Sequence, residues 1–375
     1  MKRALEIGHI VAGPTAGLIL ADLGYEVIKV EMPGKGDISR WLTGASSGAF
    51  AFYNRNKKSL TADLTTREGK EIFLRLVDSA DIVIDNLGPG TMNDLDLSFS
   101  ELSKRNPRLI FLSLKGYGRG PYENRKSLDY PIEVHSGLAY MTGLIGRPMR
   151  VGGSLVDIAG AMMGVIAILN AIIERTTTGK GKLVEIGLFE TASFLVGQHI
   201  ATFQVNKREL KPINEEGFAW GIYDFFESKD GKELFIAVTT DNQWRDFCQI
   251  FELNVCNDPA LATNEKRFAN REYLLGLASR TMGSMSCEEI IDKLVKANIA
   301  YARLNKPWDL LSDPQLSGKL LSETYEGVEL RVPSTPFDDC TEGNPPVLSE
   351  HTNEIMISLG YTQEEVRSFK ERGII

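Results

Sequence analysis

Pro14-Thr15-Ala16-Gly17-Leu18-Ile19-Leu20-Ala21-Asp22-Leu23-Gly24 leads through Tyr25-Glu26 directly into Val27-Ile28-Lys29-Val30-Glu31. The first part reads as a helix stopped by a glycine, and the second, rich in β-branched residues, as a strand. The same alternation continues outward. Thr65-Thr66-Arg67-Glu68 offers a capping box ahead of the helical pattern Ile72, Leu74, Leu76 and Val77. Asp81-Ile82-Val83-Ile84-Asp85 is a second strand, ending in the turn Asn86-Leu87-Gly88-Pro89-Gly90, and Leu109 to Leu114 is a third. A long apolar helix ending near Arg175 is followed by the turn Gly179-Lys180-Gly181-Lys182 and the strand Leu183-Val184-Glu185-Ile186. Strands alternating with helices over two hundred residues predict an α/β layer architecture with a largely parallel sheet.

At 375 residues and 43% hydrophobic content, the chain exceeds what one core usually holds, so two domains are expected. The polar, aperiodic stretch 206–217 marks a linker. Beyond it, Phe225, Leu234 to Val238 and the helical run Glu288 to Ala297 suggest a smaller α+β domain. The expected division is 1–205 for the large domain, 206–330 for the small one with its linkers, and 331–375 for a tail returning to the first. A net charge of −8 supplies no basic field for nucleic acid. Cys248, Cys256, Cys287 and Cys340 lack metal-ligand or disulfide-framework spacing, so no metal site is expected and a reducing cytoplasm fits. The charged start is unlike a signal peptide, and the apolar tract Ile158 to Ile173, which includes Asn170, reads as a buried helix rather than a membrane span.

Asp157 lies in Val151-Gly152-Gly153-Ser154-Leu155-Val156-Asp157-Ile158-Ala159-Gly160, where a glycine-rich turn meets a helix. Apolar neighbours and free helix-start amides would shield a carboxylate there while keeping its charge, as a nucleophile requires. As a plain helix cap, Asp157 would need no chemistry at all. Gly160 and Gly164 read as close helix packing.

Several separated runs share one further pattern: Leu5 to Gly17, Leu23 to Glu31, Gly36-Asp37 with Arg40, Asn54 to Leu60 with Asp63-Leu64, Asp85 to Gly90, Asn106-Pro107-Arg108, and Lys115-Gly116-Tyr117-Gly118. Asp157, Thr178-Gly179-Lys180-Gly181, Pro345 to Thr352, Leu359-Gly360-Tyr361 and Gly373-Ile374-Ile375 complete it. In this order and over essentially the whole chain, the set resembles the family III CoA-transferases, the CaiB/BaiF family, which includes formyl-CoA transferase and α-methylacyl-CoA racemases.

The resemblance implies a Rossmann-like open-sheet large domain built from both chain ends, a small domain, and two subunits threaded into an interlocked homodimer. It implies that an acyl-CoA and a carboxylic acid are the substrates, with no permanently bound cofactor. Asp157 would attack the thioester to form a mixed anhydride, then an aspartyl-CoA thioester that an incoming carboxylate reverses. CoA contacts would map to Ile10, Val11, Ala12, Ala62, Leu64, Thr65, Asn86, Leu87 and Lys126, with Arg40 or Lys57 available to phosphate.

The chain also departs from the family pattern. A position near Asp94, where relatives often carry Arg, is acidic here, Met32 also stands where a relative would offer Arg, and Asn214-Glu215-Glu216-Gly217 is the nearest counterpart of a polyglycine lid, which puts formate or oxalate specificity in doubt. A racemase would need Gly-His-Asp where this chain has Ser127-Leu128-Asp129, with His135 seven residues on from Leu128, and a small-domain acid for which Asp241 is a candidate. Transferase is the first reading and racemase the alternative; a silent CoA-binding subunit would have no use for Asp157. Tyr140, Phe218, Trp220 and Tyr223 suggest partly apolar pocket walls, and Arg147 and Arg150 a clamp for a second substrate carboxylate.

Overall fold

Six strands form one parallel sheet in the computed structural model, which describes residues 2–217, 219–337, 340 and 342–375. They are β1 (Arg3–Ile7), β2 (Glu26–Glu31), β3 (Lys58–Thr61), β4 (Ile82–Asp85), β5 (Ile110–Lys115) and β6 (Leu183–Gly187), in spatial order β3-β2-β1-β4-β5-β6. Every neighbouring pair is parallel. The chain builds outward from β1 to β3, then crosses back to lay β4 on the other side of β1. That reversal leaves a crevice beyond the carboxyl ends of β1 and β4.

Alternate strand residues point to opposite faces, and both faces are covered, which is why the strands read as nearly unbroken apolar runs. Leu5, Ile28, Leu60, Val83 and Phe111 pack on one side with Ile72, Phe73 and Leu76 of the helix Arg67–Val77 and with Ile355, Met356, Val366 and Ile374 of the tail. Ala4, Val27, Ile82, Ile110 and Leu112 pack on the other against helix α1 (Ala12–Asp22) and helix Leu155–Thr178. The helix Arg67–Val77 is capped by Thr66, whose Oγ accepts the Gly69 amide at 3.0 Å. The expected capping box is absent because the third helical position is Gly69, and Thr65 instead donates its hydroxyl to Asp63 at 2.7 Å.

Helix Leu155–Thr178 ends at Gly179, in the left-handed conformation, a turn beyond the expected stop. A Cβ on Gly160 would sit 2.5 Å from Leu188 Cδ2, and one on Gly164 2.9 Å from Leu112 Cδ2, so these glycines let the helix approach its neighbours closely. Only one face is buried, however. Met162, Ile166 and Ile173 are 52%, 61% and 68% exposed, which corrects the expectation of a fully buried helix. By length and composition the helix is able to cross a membrane, and its other face is seated on the sheet and α1.

Two compact units result: Met1–Pro212 with Leu316–Ile375, and Ile213–Gln315. The second contains the antiparallel strands β7 (Ile222–Glu227), β8 (Glu233–Val238) and β9 (Ala300–Arg303) around a core of Ile222, Leu234, Trp244, Phe247, Leu274 and Ile290. The large unit resumes at Leu316 rather than 331. Its hairpin β10 (Leu320–Tyr325) and β11 (Val328–Pro333) buries Glu323 beside Arg55, 3.6 Å away, and Thr324 donates to Asn344. The tail then seals the sheet edge. Ser59 O accepts His351 N, Thr61 N donates to Thr352 Oγ1, and Asp63 N donates to Ile374 O.

Candidate active site

The loop after β1 and the turn after β4 meet at the sheet's reversal point. Asn86 Oδ1 accepts the His9 amide at 2.8 Å while its Nδ2 donates to His9 O at 3.0 Å, clamping one loop to the other. A Cβ at Gly13 would lie 2.8 Å from Asn86 Oδ1, so the small residue there is a steric requirement. Ile10 has φ 68°, a left-handed conformation that is unusual for a β-branched residue, and its amide donates to Asp37 at 3.1 Å. Leu87 is held by Asp85, whose carboxylate also pairs with Lys115 at 2.7 Å. Ile10, Val11, Ala12, Asn86 and Leu87 are thereby brought together. Ala62 and Leu64, beyond β3, commit their side chains to the core and offer only backbone, whereas Thr65 is exposed.

Beneath this loop lies a buried network of charge. Glu6 sits between Lys29 and Lys57, each 2.7 Å away, and Lys29 also reaches Asp37 at 2.8 Å and Gly8 O at 2.8 Å. Burial acts against Lys29's charge, yet Glu6, Asp37 and Glu31 outweigh it and hold the ammonium well above its ordinary range. Burial and the like charge of Lys29 pull Lys57 down to about 8, against the attraction of Glu6. Lys57 spends its remaining donors on Pro14 O and Asn54. Arg40 forks onto Glu31 with two 2.8 Å bonds, donates to Pro346 O and lies over the Phe50 ring. Both cations expected near phosphate are therefore committed inside the protein, because each is the counter-charge of a buried acid.

Asp157 occupies the first turn of α5 (Leu155–Thr178), and the order of elements fixes where that turn lies. Gly164 passes Leu112 in the middle of β5, and Arg175 bonds Asp81 and Arg108 at the amino ends of β4 and β5. The start of α5 is consequently at the carboxyl edge of the sheet. Ser154, the N-cap, makes no side-chain cap bond. The cap comes from another helix, α4 (Asp129–Ser136): Asp129 Oδ1 accepts Val156 N at 3.0 Å and Asp157 N at 3.2 Å. Asp157 is thus not the cap, and its carboxylate meets no hydrogen-bond donor among the described residues. Burial first, then the charge of Asp129, push its pKa up to about 7, with Arg150 opposing. The expected support from helix-start amides is corrected accordingly, because Asp129 has taken them.

Arg150 donates to Asp129 Oδ2 at 3.0 Å and to Ser154 Oγ at 3.2 Å, so it is tied to the protein rather than free to clamp a substrate. Arg147 closes a tight turn with Leu144. Sequence reasoning missed Glu133, fully buried one turn from Asp129, and Tyr53 in the helix Ala49–Asn54. Burial, and then the charges of Asp157 and Asp129, raise the Tyr53 phenol, so it lies within the field of both carboxylates. Nothing in Ala49-Phe50-Ala51-Phe52-Tyr53-Asn54 distinguishes that ring from a core aromatic.

Lys126 lines an open cavity of about 600 Å³ with Tyr117, Arg125, Ser127, Tyr130, Pro131, Val134 and His135, on the side of α4 away from Asp129 and Glu133. His135 accordingly stands on the helix surface, 3.0 Å from the Tyr117 hydroxyl and stacked on Phe189. Leu128 is exposed. Asp241 begins the helix Asp241–Ile250 behind a Thr240 capping box and pairs with Arg267, as a plain helix start would. The lid candidate is the short helix Ile213–Glu216 followed by Gly217. Tyr140 donates to Leu210 O, Trp220 and Tyr223 stack, and Phe218 lies outside the described residues. Asp94 and Met32 are both exposed. Among the described residues no group of three His, Cys, Asp or Glu side chains is arranged to hold a metal ion.

The model of CoA-transferase family III matches residues 2–352. An acyl-CoA transferase of Fusarium pseudograminearum is 32% identical over 100% of this chain and 87% of its own length. The succinyl-CoA–L-malate CoA-transferase alpha subunit of Chloroflexus aurantiacus is 31% identical over 100% of this chain and 91% of its own. A solved CaiB/BaiF family protein from Brucella suis superposes with a TM-score of 0.83 at 30% identity, covering 96% of this chain and 98% of that one. With the parallel sheet, the clamped loops at its reversal point and the acid at the start of α5, these matches show that the chain belongs to CoA-transferase family III.

Proposed function

We propose that this enzyme moves CoA from an acyl-CoA to a free carboxylic acid with Asp157 as the covalent carrier. The observation that carries this reading is the Asp157 carboxylate itself: at the sheet's carboxyl edge, in a desolvating site, with no donor bonded to it among the described residues. A carboxylate so placed is more basic than usual and is a better nucleophile for it. Its oxygen bonds the acyl carbon as the C–S bond breaks, giving the anhydride and CoA thiolate. The thiolate then attacks the aspartyl carbonyl, releases the donor acid and leaves a CoA thioester on Asp157. The acceptor carboxylate reverses both steps, so one thioester replaces another without an energy source.

The loops carrying Ile10 to Ala12, Ala62 to Thr65 and Asn86-Leu87 present backbone to CoA at the sheet edge, with Lys126 as a further contact. Arg40 supports that edge through Glu31 and is not counted among these contacts. The exposed apolar stripe Met162, Ile166, Leu169 and Ile173, with Phe194, Ile200, Phe203 and Val205 on the following helices, supports a homodimer in which a second copy covers it. The free cysteines suit a reducing cytoplasm. Racemisation is disfavoured because the position expected to hold a His carries the exposed Leu128, and His135 is engaged with Tyr117.

Succinyl-CoA and L-malate, the pair naming the Chloroflexus relative, are the first donor and acceptor to test, followed by a panel of mono- and dicarboxylates. Incubation with the donor and hydroxylamine, then peptide mass mapping, is expected to find a hydroxamate at Asp157. Full turnover by Asp157→Asn, or no adduct with any accepted donor, sinks the reading.

A further inference from the structure

Asp129 and Glu133 lie one turn apart on α4, on the same face of the helix, and both are buried. Together they hold the segment 150–157 at four points. Asp129 accepts Val156 N, Asp157 N and Arg150 Nη2, and Glu133 Oε2 accepts Val151 N at 2.9 Å. Between the anchors, Gly152 and Gly153 are exposed and would place a Cβ in open space. α4 thus anchors the chain into α5 at both ends of this turn, which Arg150 also spans by donating to Ser154 Oγ at 3.2 Å.

We propose that Asp129 is a positioning residue of the transfer reaction: by bonding the two amides that open α5 and pinning Arg150, it holds the Asp157 carboxylate in attacking geometry and denies it those amides. The proposal rests on Asp157 being the nucleophile. A carboxylate in the first turn of a helix ordinarily gains from nearby amides, which stabilise its charge and blunt its basicity. Here the amides are spent on a different acid, whose own charge faces Asp157. The charges that act on Asp157 are those of Asp129 from α4 and Arg150 from the turn before α5, and the Tyr53 phenol of helix Ala49–Asn54 responds to Asp157 in turn. When Asp157 bonds the acyl carbon, its negative charge departs with the electron pair on the CoA sulfur. Repulsion from Asp129 is thereby present in the free enzyme and relieved in the covalent intermediate, which favours attack.

Asp129→Asn and Asp129→Ala separate the two parts of the role, read as the pH profile of kcat/KM alongside hydroxylamine trapping. Asn keeps an oxygen for the two amides and removes the charge. The acid limb of its profile is expected to move down by about one pH unit while folding is retained. Ala removes the cap as well, and kcat is expected to fall by about 10²-fold, with Asn restoring most of it. A limb for Asp129→Asn that superimposes on the wild type overturns the proposal, as does wild-type kcat in Asp129→Ala. Should Asp129→Ala fail to fold, the Asn profile decides alone. Trapping on the wild-type enzyme tells the two failures apart: no adduct at Asp157 removes the nucleophile itself, whereas an adduct with superimposed limbs removes only the role of Asp129.

Discussion

Under the first loop, two acids and two lysines interleave, so that Glu6 and Asp37 each face an ammonium within 2.8 Å. At the start of α5, Asp129 and Glu133 share the half-exposed guanidinium of Arg150, which is the one cation acting on Asp157 among the described residues. Both clusters stand at the carboxyl edge of one sheet; the first is fully buried, whereas the second buries Asp129 and Glu133 and leaves Asp157 half-buried. The opposite outcomes follow from counting charges. In the matched cluster attraction exceeds the cost of desolvation at Lys29 and at Asp37, which is held well below the usual carboxylate range by Lys29 and Ser39 despite its burial, while burial, with Lys29 as a like-charged neighbour, pulls Lys57 down to about 8. In the mismatched one burial wins, and Asp157 rises to about 7. Matching produces scaffold, and mismatch leaves the acid that we propose as the nucleophile.

The hardest test of that contrast is Asp157→Asn, expected to reduce thioester exchange by about 10³-fold or more while leaving the fold intact. Retained turnover would mean that the mismatch has no chemical purpose. Next in size is Lys29→Met, which strips Asp37 of its ammonium, leaves Glu6 with Lys57 alone and is expected to cost about 3–5 kcal/mol in urea unfolding. A cost below about 1 kcal/mol would show the network is not matched as drawn.

The two clusters also predict opposite pH behaviour. Asp157 binds its proton more tightly folded than unfolded, so between about pH 4 and 7 the native state holds more protons, and its contribution to stability declines as pH rises through that window. Asp157→Asn removes this decline and is expected to be more stable than the wild type at pH 8 by roughly 1–3 kcal/mol. Identical stability profiles for the two proteins would contradict it. Smallest is Ile10→Gly, in the loop above the matched network. It relieves a left-handed β-branched residue but frees the unfolded chain, so stability should change by less than about 1 kcal/mol. The affinity for CoA should fall instead, by calorimetry, if the strained loop is held for the ligand.

Much of this was legible in advance where a signal was local. The apolar strand runs announced a parallel sheet because both of its faces are covered. Gly24 and Gly179 stop their helices by φ alone, and Gly160 and Gly164 were readable as contact points because a helix facing a neighbour closely can carry no side chain there. Asp157 stood out by its glycine-rich approach. Its partners did not, since Tyr53 and Glu133 look like any aromatic and any acid on short helices. Arg40 and Lys57 misled in the other direction: a cation near a ligand edge reads the same whether it meets phosphate or a buried glutamate.

Amphipathic period, turn residues and the ordered run of family motifs were enough to establish the α/β architecture and the family and to single out Asp157 as the acid proposed to react, because each depends on residues near one another in the chain. Which charges are paired, which acid caps α5 and which is left without donors were decided only by folding. Those outcomes depend on distances between residues such as 6 and 57, or 129 and 157, and on the exclusion of water around them, neither of which any linear spacing encodes.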